Sequence, residues 1–338
     1  MNVLVCTTPG KFEYQTQAVP EVQPGYSLLK IKRIGICGTD LHAYQGTQPF
    51  FHYPRILGHE LAAEIVTTDD PDFLTGEAVT IMPYFSCGIC IACRMDKPNC
   101  CTHIQVCGVH IDGGMVEYLR VPSSTLIKGE GLSVDELALI EPLAIGAHGI
   151  SRAHIIEGEF VLVVGAGPIG LGAMEFARIA GAQVIAMDVN DERLAFCADK
   201  LKINATVNPA KEDALQKLNA ITNGDMPTVV IDATGSQKAI NNAFQYLSHG
   251  GRYVLIGLQK GDISFSHPEF HKREATLMSS RNATKADFEQ VVRCMKKGWV
   301  SPATYITHRL RFADVKNQFE HLLDPASGVI KAIVEMPD

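Results

Sequence analysis

Five of the ten cysteines in this 338-residue chain fall within "CGICIACRMDKPNCC", residues 87–101. Cys87, Cys90, Cys93 and Cys101 are spaced C-x2-C-x2-C-x7-C. Gaps of two residues let successive thiolates converge on one ion, and four thiolates close a tetrahedral zinc shell with no open position. Such a shell stiffens a loop and does no chemistry. Gly88 permits a tight turn and Pro98 helps bring the chain back to the last ligand. Cys100 competes with Cys101 for the fourth place, and an iron–sulfur cluster would use the same thiolates. A redox C-x-x-C or a chance cluster explains three evenly spaced cysteines less well, and structural zinc is the reading adopted.

A second set of residues is scattered: "GICGTDLH" (35–42), "LGHE" (57–60) and "IEPLAIGAH" (140–148). Cys37, His59 and either Glu60 or Glu141 supply a thiolate, an imidazole and a carboxylate, a mixed shell that suits a catalytic zinc with water in its fourth place. Each also has a plainer explanation: a small core residue, a turn residue, a solvated charge, a helix-surface acid. A third motif is the glycine-rich turn of "EFVLVVGAGPIGLGAMEFARIAGAQVIAMDVNDERL" (159–194), where Gly165, Gly167 and Gly170 read G-x-G-x-x-G, with Pro168 and Ile169 between the last two. It follows the apolar run 160–164, opens a helical pattern, and has Asp188 at the end of the next strand, 23 residues after Gly165. This context marks a dinucleotide site, with pyrophosphate on the helix N-terminus and the acid on the adenosine ribose. Asp188 repels a 2′-phosphate and favours NAD over NADP, while nearby Arg193 tempers that choice.

The elements that position these groups follow from the pattern. "PTVVIDATGS" (227–236), helical "QKAINNAFQYLS" and "GGRYVLIGL" (250–258) continue the strand–helix alternation, so residues 144–284 read as a doubly wound Rossmann domain. Residues 1–143 and 285–338 form a second domain, with the cysteine lobe at about 85–107. Composition agrees with a globular protein: 46% apolar, 20% charged, net charge −7. That charge offers no basic field for nucleic acid or anionic lipid. The longest apolar stretch is broken by glycines and charges, so no membrane span is expected. The N-terminus lacks a signal-peptide pattern. A cytoplasmic setting is expected, where clustered thiols hold metal more often than they form disulfides.

Taken together, "GICGTDLH", "GHE", the four-cysteine lobe, "EPLAIGAH" and "GAGPIG", in that order, resemble the zinc-dependent medium-chain dehydrogenase/reductase family. Glu141, where the ordinary alcohol dehydrogenases have a cysteine ligand, is similar to the polyol branch. "TQPFFHYPRILGHE", "GVHIDGG", "HPEFHKRE" and "SRNAT" resemble a sugar-acid dehydrogenase within it. The resemblance implies a GroES-like β-rich catalytic domain, a Rossmann domain, and two zinc ions per chain. Cys37, His59 and Glu60 match catalytic zinc ligands, and Glu141 matches an acid that ligates the zinc or bonds its water. Asp40 matches the acid that orients the histidine; Thr39 and His42 match a proton relay, although Thr39 also suits a helix N-cap and His42 an ordinary exposed histidine. His110, His148 and Arg281 are candidate pocket residues, each with a plainer structural explanation. Asp96 stands where the lobe commonly has glycine, which implies a changed turn. The implied reaction is hydride transfer between a secondary hydroxyl of a sugar acid or polyol and NAD, in a homodimer or homotetramer. Alternatives are a dehydrogenase of primary or aromatic alcohols, or a nucleotide-binding protein without catalysis.

Overall fold

The computed structural model describes residues 1–49, 51–203 and 205–337. Phe50, within "TQPFFHYPRILGHE", and Asp338, within the expected segment 285–338, lie outside them. The chain divides into Met1–Pro142 with Thr284–Asp338, and Leu143–Ala283. Each boundary is one residue from the expected 143/144 and 284/285. The first falls inside the helix Ile140–Ala153, whose apolar periodicity runs through it unbroken and marks no border.

The discontinuous unit is built on antiparallel strands. Its long strand Tyr26–Ile36 carries "IGI" at its buried end. There it pairs antiparallel with Glu60–Thr67 on one side (Gly35 opposite Glu60) and with Lys331–Glu335 on the other (Ile333 opposite Gly35). Lys331–Glu335 in turn runs parallel to Ile306–Arg311. The C-terminal segment therefore supplies an interior strand. With residues alternating between faces, Glu60, Gly35, Ile333 and Lys331 share one face. Leu29, Ile31, Ile34, Leu61, Ile65 and Val334 are among the side chains that form the core. The cysteine lobe leaves and rejoins this unit through a two-residue ladder, Tyr84 opposite Val106 and Phe85 opposite Gln105.

The continuous unit is a parallel sheet of six strands among the described residues. Their order is Ala205–Val207, Gln183–Met187, Phe160–Val164, Val229–Asp232, Arg252–Leu255, Thr276–Ser279. That is the 3-2-1-4-5-6 order of dinucleotide-binding sheets. "FVLVV" lies between two neighbours and is buried on both faces, which is why it reads as an unbroken apolar run. The stretches 227–236 and 250–258 shrink to four-residue strands, because Asp232 and Leu255 are followed by loops. No helix of the described residues is long and apolar enough to cross a membrane.

Candidate active site

Cys37, His59 and Glu60 bring one ligand atom each to within 4.8 Å of one another. Cys37 is the N-cap of the helix Gly38–Tyr44, and its N–H donates to Asp40 Oδ2 at 2.9 Å. Thr39 is thus inside the first turn and is not the cap. Asp40 is fully enclosed, its Oδ1 accepting from Gly58 N at 3.2 Å and facing His59 Nδ1 at 3.8 Å, beyond hydrogen-bond length. His59 Nδ1 is buried without a partner. Burial alone would lower the His59 pKa, but Asp40 and Cys37 beside it hold it well above the imidazole range.

Glu60 has no exposed surface, and both its oxygens accept from Lys331 Nζ at 2.7 Å. Lys331 also donates to Ile36 O at 3.1 Å and is 2% exposed. Burial would lower its pKa; Glu60 and Cys37 raise it. Gly35 makes this contact possible, since a Cβ there would lie 2.0 Å from Glu60 Oε2. Glu141, also buried, accepts from the Tyr84 hydroxyl. Its pKa is pushed up to about 7 by burial and by Glu60, against the opposing pull of His59, Tyr84 and Lys331. Glu141 lies close enough to feel His59 and Glu60 but is outside the three-donor cluster. Asp40, Glu60 and Glu141 are all buried near Lys331 and His59, so carboxyls outnumber cationic groups in a dry place. The donor set fits a divalent zinc ion: Cys37, His59 and Glu60 offer a sulfur, a nitrogen and an oxygen to one small volume, while the His59 Nδ1 that lacks a hydrogen bond faces Asp40.

In the lobe, the sulfurs of Cys87, Cys90, Cys93 and Cys101 lie within 4.8 Å of one another. Cys90 and Cys93 are 3.4 Å apart and Cys87 and Cys101 3.5 Å, too far for disulfides and near the edge of a tetrahedron with Zn–S of about 2.3 Å. Cys101 is buried, whereas its rival Cys100 is exposed and outside the cluster. Backbone N–H groups pull Cys90 down to about 5 and Cys87 to about 7, stabilising thiolates. Desolvation and neighbouring thiols push Cys93 up to about 11 in the absence of metal. Asp96 takes φ +56°, the left-handed conformation that suits glycine and that Asp tolerates.

In the parallel-sheet unit, Gly165 has φ +100°. A Cβ on Gly170 would lie 1.8 Å from Gly165 O, so the helix Pro168–Ile179 can pack this close only with glycine there. Gly167 is the helix N-cap and has open space where its Cβ would be, a cradle for a phosphate, with Pro168 at the first helical position and Ile169 next. Asp188 ties the turn down: Oδ2 accepts from Ala166 N at 2.7 Å, Oδ1 from Asn190 N at 2.9 Å. Arg193 lies in the first turn of the following helix, Asp191–Leu201.

Residues 23–131 match the model of the alcohol dehydrogenase GroES-like domain, and residues 168–297 that of the zinc-binding dehydrogenases. The chain belongs to the zinc-type alcohol dehydrogenase family. It is 44% identical over 336 residues to L-galactonate-5-dehydrogenase of Escherichia coli K12, covering 99% of this chain and 98% of that one. The crystal structure of a short chain alcohol dehydrogenase (rspB) from Escherichia coli CFT073, complexed with NADH, is 31% identical, with a TM-score of 0.92 over 99% of both chains. A putative zinc-binding dehydrogenase from Sinorhizobium meliloti 1021, bound to NADP, is 26% identical, with a TM-score of 0.90 over 99% of this chain and 98% of that one. As a zinc-type alcohol dehydrogenase the protein is an oxidoreductase that uses zinc and a nicotinamide cofactor, with a GroES-like domain and a Rossmann-like domain.

Against this family background, the positions of the remaining candidates are plain. Thr39 is half-buried and His42 exposed, its Nδ1 3.2 Å from Thr47 Oγ1. His110 Nδ1 accepts from Val106 N at 3.1 Å. His148 is half-buried in the helix Ile140–Ala153, and Arg281 is exposed. Sequence reasoning missed Lys331, Tyr84 and Gly35. The one signal for Lys331 is a lone charge at an inward position of "VIKAIV"; Tyr84 and Gly35 carry none beyond apolar and small character.

Proposed function

We propose that this dehydrogenase oxidises a secondary hydroxyl of a sugar acid or polyol with NAD, L-galactonate being the first candidate. The observation that carries the reading is the buried cluster of Cys37, His59 and Glu60, with Glu141 beside it, in a chain so similar to an L-galactonate-5-dehydrogenase. Cys37, His59 and Glu60 would hold the catalytic zinc; Cys87, Cys90, Cys93 and Cys101 would hold the structural one. Bound zinc and NAD supply, respectively, Lewis-acid polarisation of the substrate oxygen and the hydride acceptor. The chain's own groups do the rest. Asp40 holds the loop at Gly58 and faces the His59 ring, orienting it. Glu141 accepts a hydroxyl or water hydrogen, and Thr39 with exposed His42 carries the released proton outward. The glycine turn 165–170 seats the pyrophosphate, and Asp188 reads the ribose.

A secondary alcohol flanked by further hydroxyls suits a carboxylate-rich centre, whose acceptors orient more than one O–H. The test is a panel of sugar acids, polyols and aromatic or short primary alcohols with NAD. The highest kcat/KM is expected for a sugar acid; a much higher value for an aromatic or primary alcohol would overturn the reading. The same reading has the enzyme working in the cytoplasm as a homodimer or homotetramer. The outer strand Thr276–Ser279, whose residues are exposed or half-buried, supports pairing with a second copy. Light scattering that finds only monomer would count against that assembly.

A further inference from the structure

We propose that Tyr84 is the positioning residue for Glu141, and that the four-cysteine lobe governs the active site through it. This rests on the role of Glu141 given above. Tyr84 lies three residues before Cys87 and is 5% exposed. Its hydroxyl donates to Glu141 Oε1, and its ring stands edge-on to Phe288 with centroids 6.3 Å apart. One oxygen of the carboxylate is thereby fixed, so Glu141 presents a defined acceptor instead of a rotating one.

The backbone that carries this phenol is the stem of the lobe. Tyr84 and Phe85 pair with Val106 and Gln105, and Cys107 N donates to Pro83 O at 2.9 Å. A two-residue ladder is marginal by itself. It is closed at the far side by the thiol cluster, where Cys87 N and His103 N both donate to Cys101 Sγ at 3.3 Å. Thiol closure and ladder form one ring, with the Tyr84 side chain projecting from its base to Glu141. Catalytic geometry is intolerant of small displacements. A lobe that opens, by loss of its metal or by thiol modification, lets the stem shift and releases Glu141, so the lobe acts as a switch on turnover as well as a brace.

The experiment uses the zinc-loaded enzyme, with zinc content measured for each variant. Tyr84→Phe is expected to lower kcat about tenfold with the KM for NAD unchanged. Cys101→Ser opens the lobe. Should it not fold, Gly88→Ala serves instead, since Gly88 has φ +73° and nothing within 4 Å of an added Cβ, so the strain stays in the lobe. Either lobe variant is expected to lower kcat about tenfold when Tyr84 is present and to change it less than about twofold in the Tyr84→Phe background. Exchange of the Cys107 amide hydrogen is expected to quicken in the lobe variants. Equal factors in both backgrounds, or an unchanged Cys107 amide with kcat reduced, would overturn the link. Wild-type kcat in Tyr84→Phe with a slowed Glu141→Gln would overturn the positioning role and leave the Glu141 reading standing. Wild-type kcat in Glu141→Gln would remove that reading, and this inference with it.

Discussion

The densest chemistry rests on a few side chains that neutralise one another. Glu60 and Lys331 are both enclosed, and a carboxylate deprived of its cation in such a place is costly. Lys331→Met is expected to destabilise the metal-free protein by about 3–5 kcal/mol in urea unfolding, and Lys331→Met with Glu60→Met to recover most of that loss. An unchanged midpoint in the single variant would mean that the pair does not form. Glu141 makes a prediction about pH. Burial and Glu60 raise its folded pKa to about 7, above the unfolded value. The folded chain therefore binds its proton more tightly than the unfolded one between about pH 4.5 and 7. Its stabilising contribution is full below that window and is lost as pH rises through it. For metal-free protein the loss is at most about 3 kcal/mol, and Glu141→Gln is expected to flatten this part of the pH–stability curve. A curve identical to wild type would contradict the raised pKa.

At the scale of elements, two turns were legible in the sequence because their constraints are local. Gly165 and Gly170 are needed by atoms five residues apart, and the lobe cysteines by one small volume. Burial and sulfur position favour Cys101 over Cys100, and spacing reveals neither. Lys331 was illegible for the opposite reason: its partner lies 271 residues away, and strand pairing alone brings them together. Gly35 likewise looks like any strand glycine until Glu60 is seen crossing over it. Asp188 shows both kinds of information. Its place after the strand was readable, yet its bond to Ala166 N ties the acid to the phosphate turn as well. Asp188→Ala is accordingly expected to weaken NAD binding and to narrow a wild-type preference over NADP of at least about tenfold, or about 1.4 kcal/mol. Titration with both reduced cofactors checks this, and equal wild-type affinities would show that Asp188 does not discriminate.

At the scale of the whole molecule, the two proposed metal sites imply two responses to chelation. Removing zinc from the thiol lobe is expected to lower the melting temperature of the discontinuous unit, because a closed thiolate shell contributes folding energy. The parallel-sheet unit, which contains none of the proposed zinc ligands, is expected to keep its NADH affinity. Metal analysis should find two zinc ions per chain, and one or none in carefully prepared protein would contradict the assignment. The interior position of Lys331–Glu335 has a further consequence, for the chain as it is being made. The strand with Glu60 emerges from the ribosome 271 residues before Lys331, roughly 15–50 s earlier at about 5–20 residues per second. The Rossmann-like unit is complete once Ala283 has emerged, 48 residues before Lys331, and at that point the discontinuous unit still lacks an interior strand and the cation for Glu60. Stalled chains ending before Lys331 are expected to yield a protease-resistant fragment of 143–283 alone; resistance of residues 1–142 as well would refute this. Translation order thus makes arrival of Lys331 a checkpoint, and a prematurely terminated chain is expected to leave Glu60 without its cation and the discontinuous unit open to proteolysis.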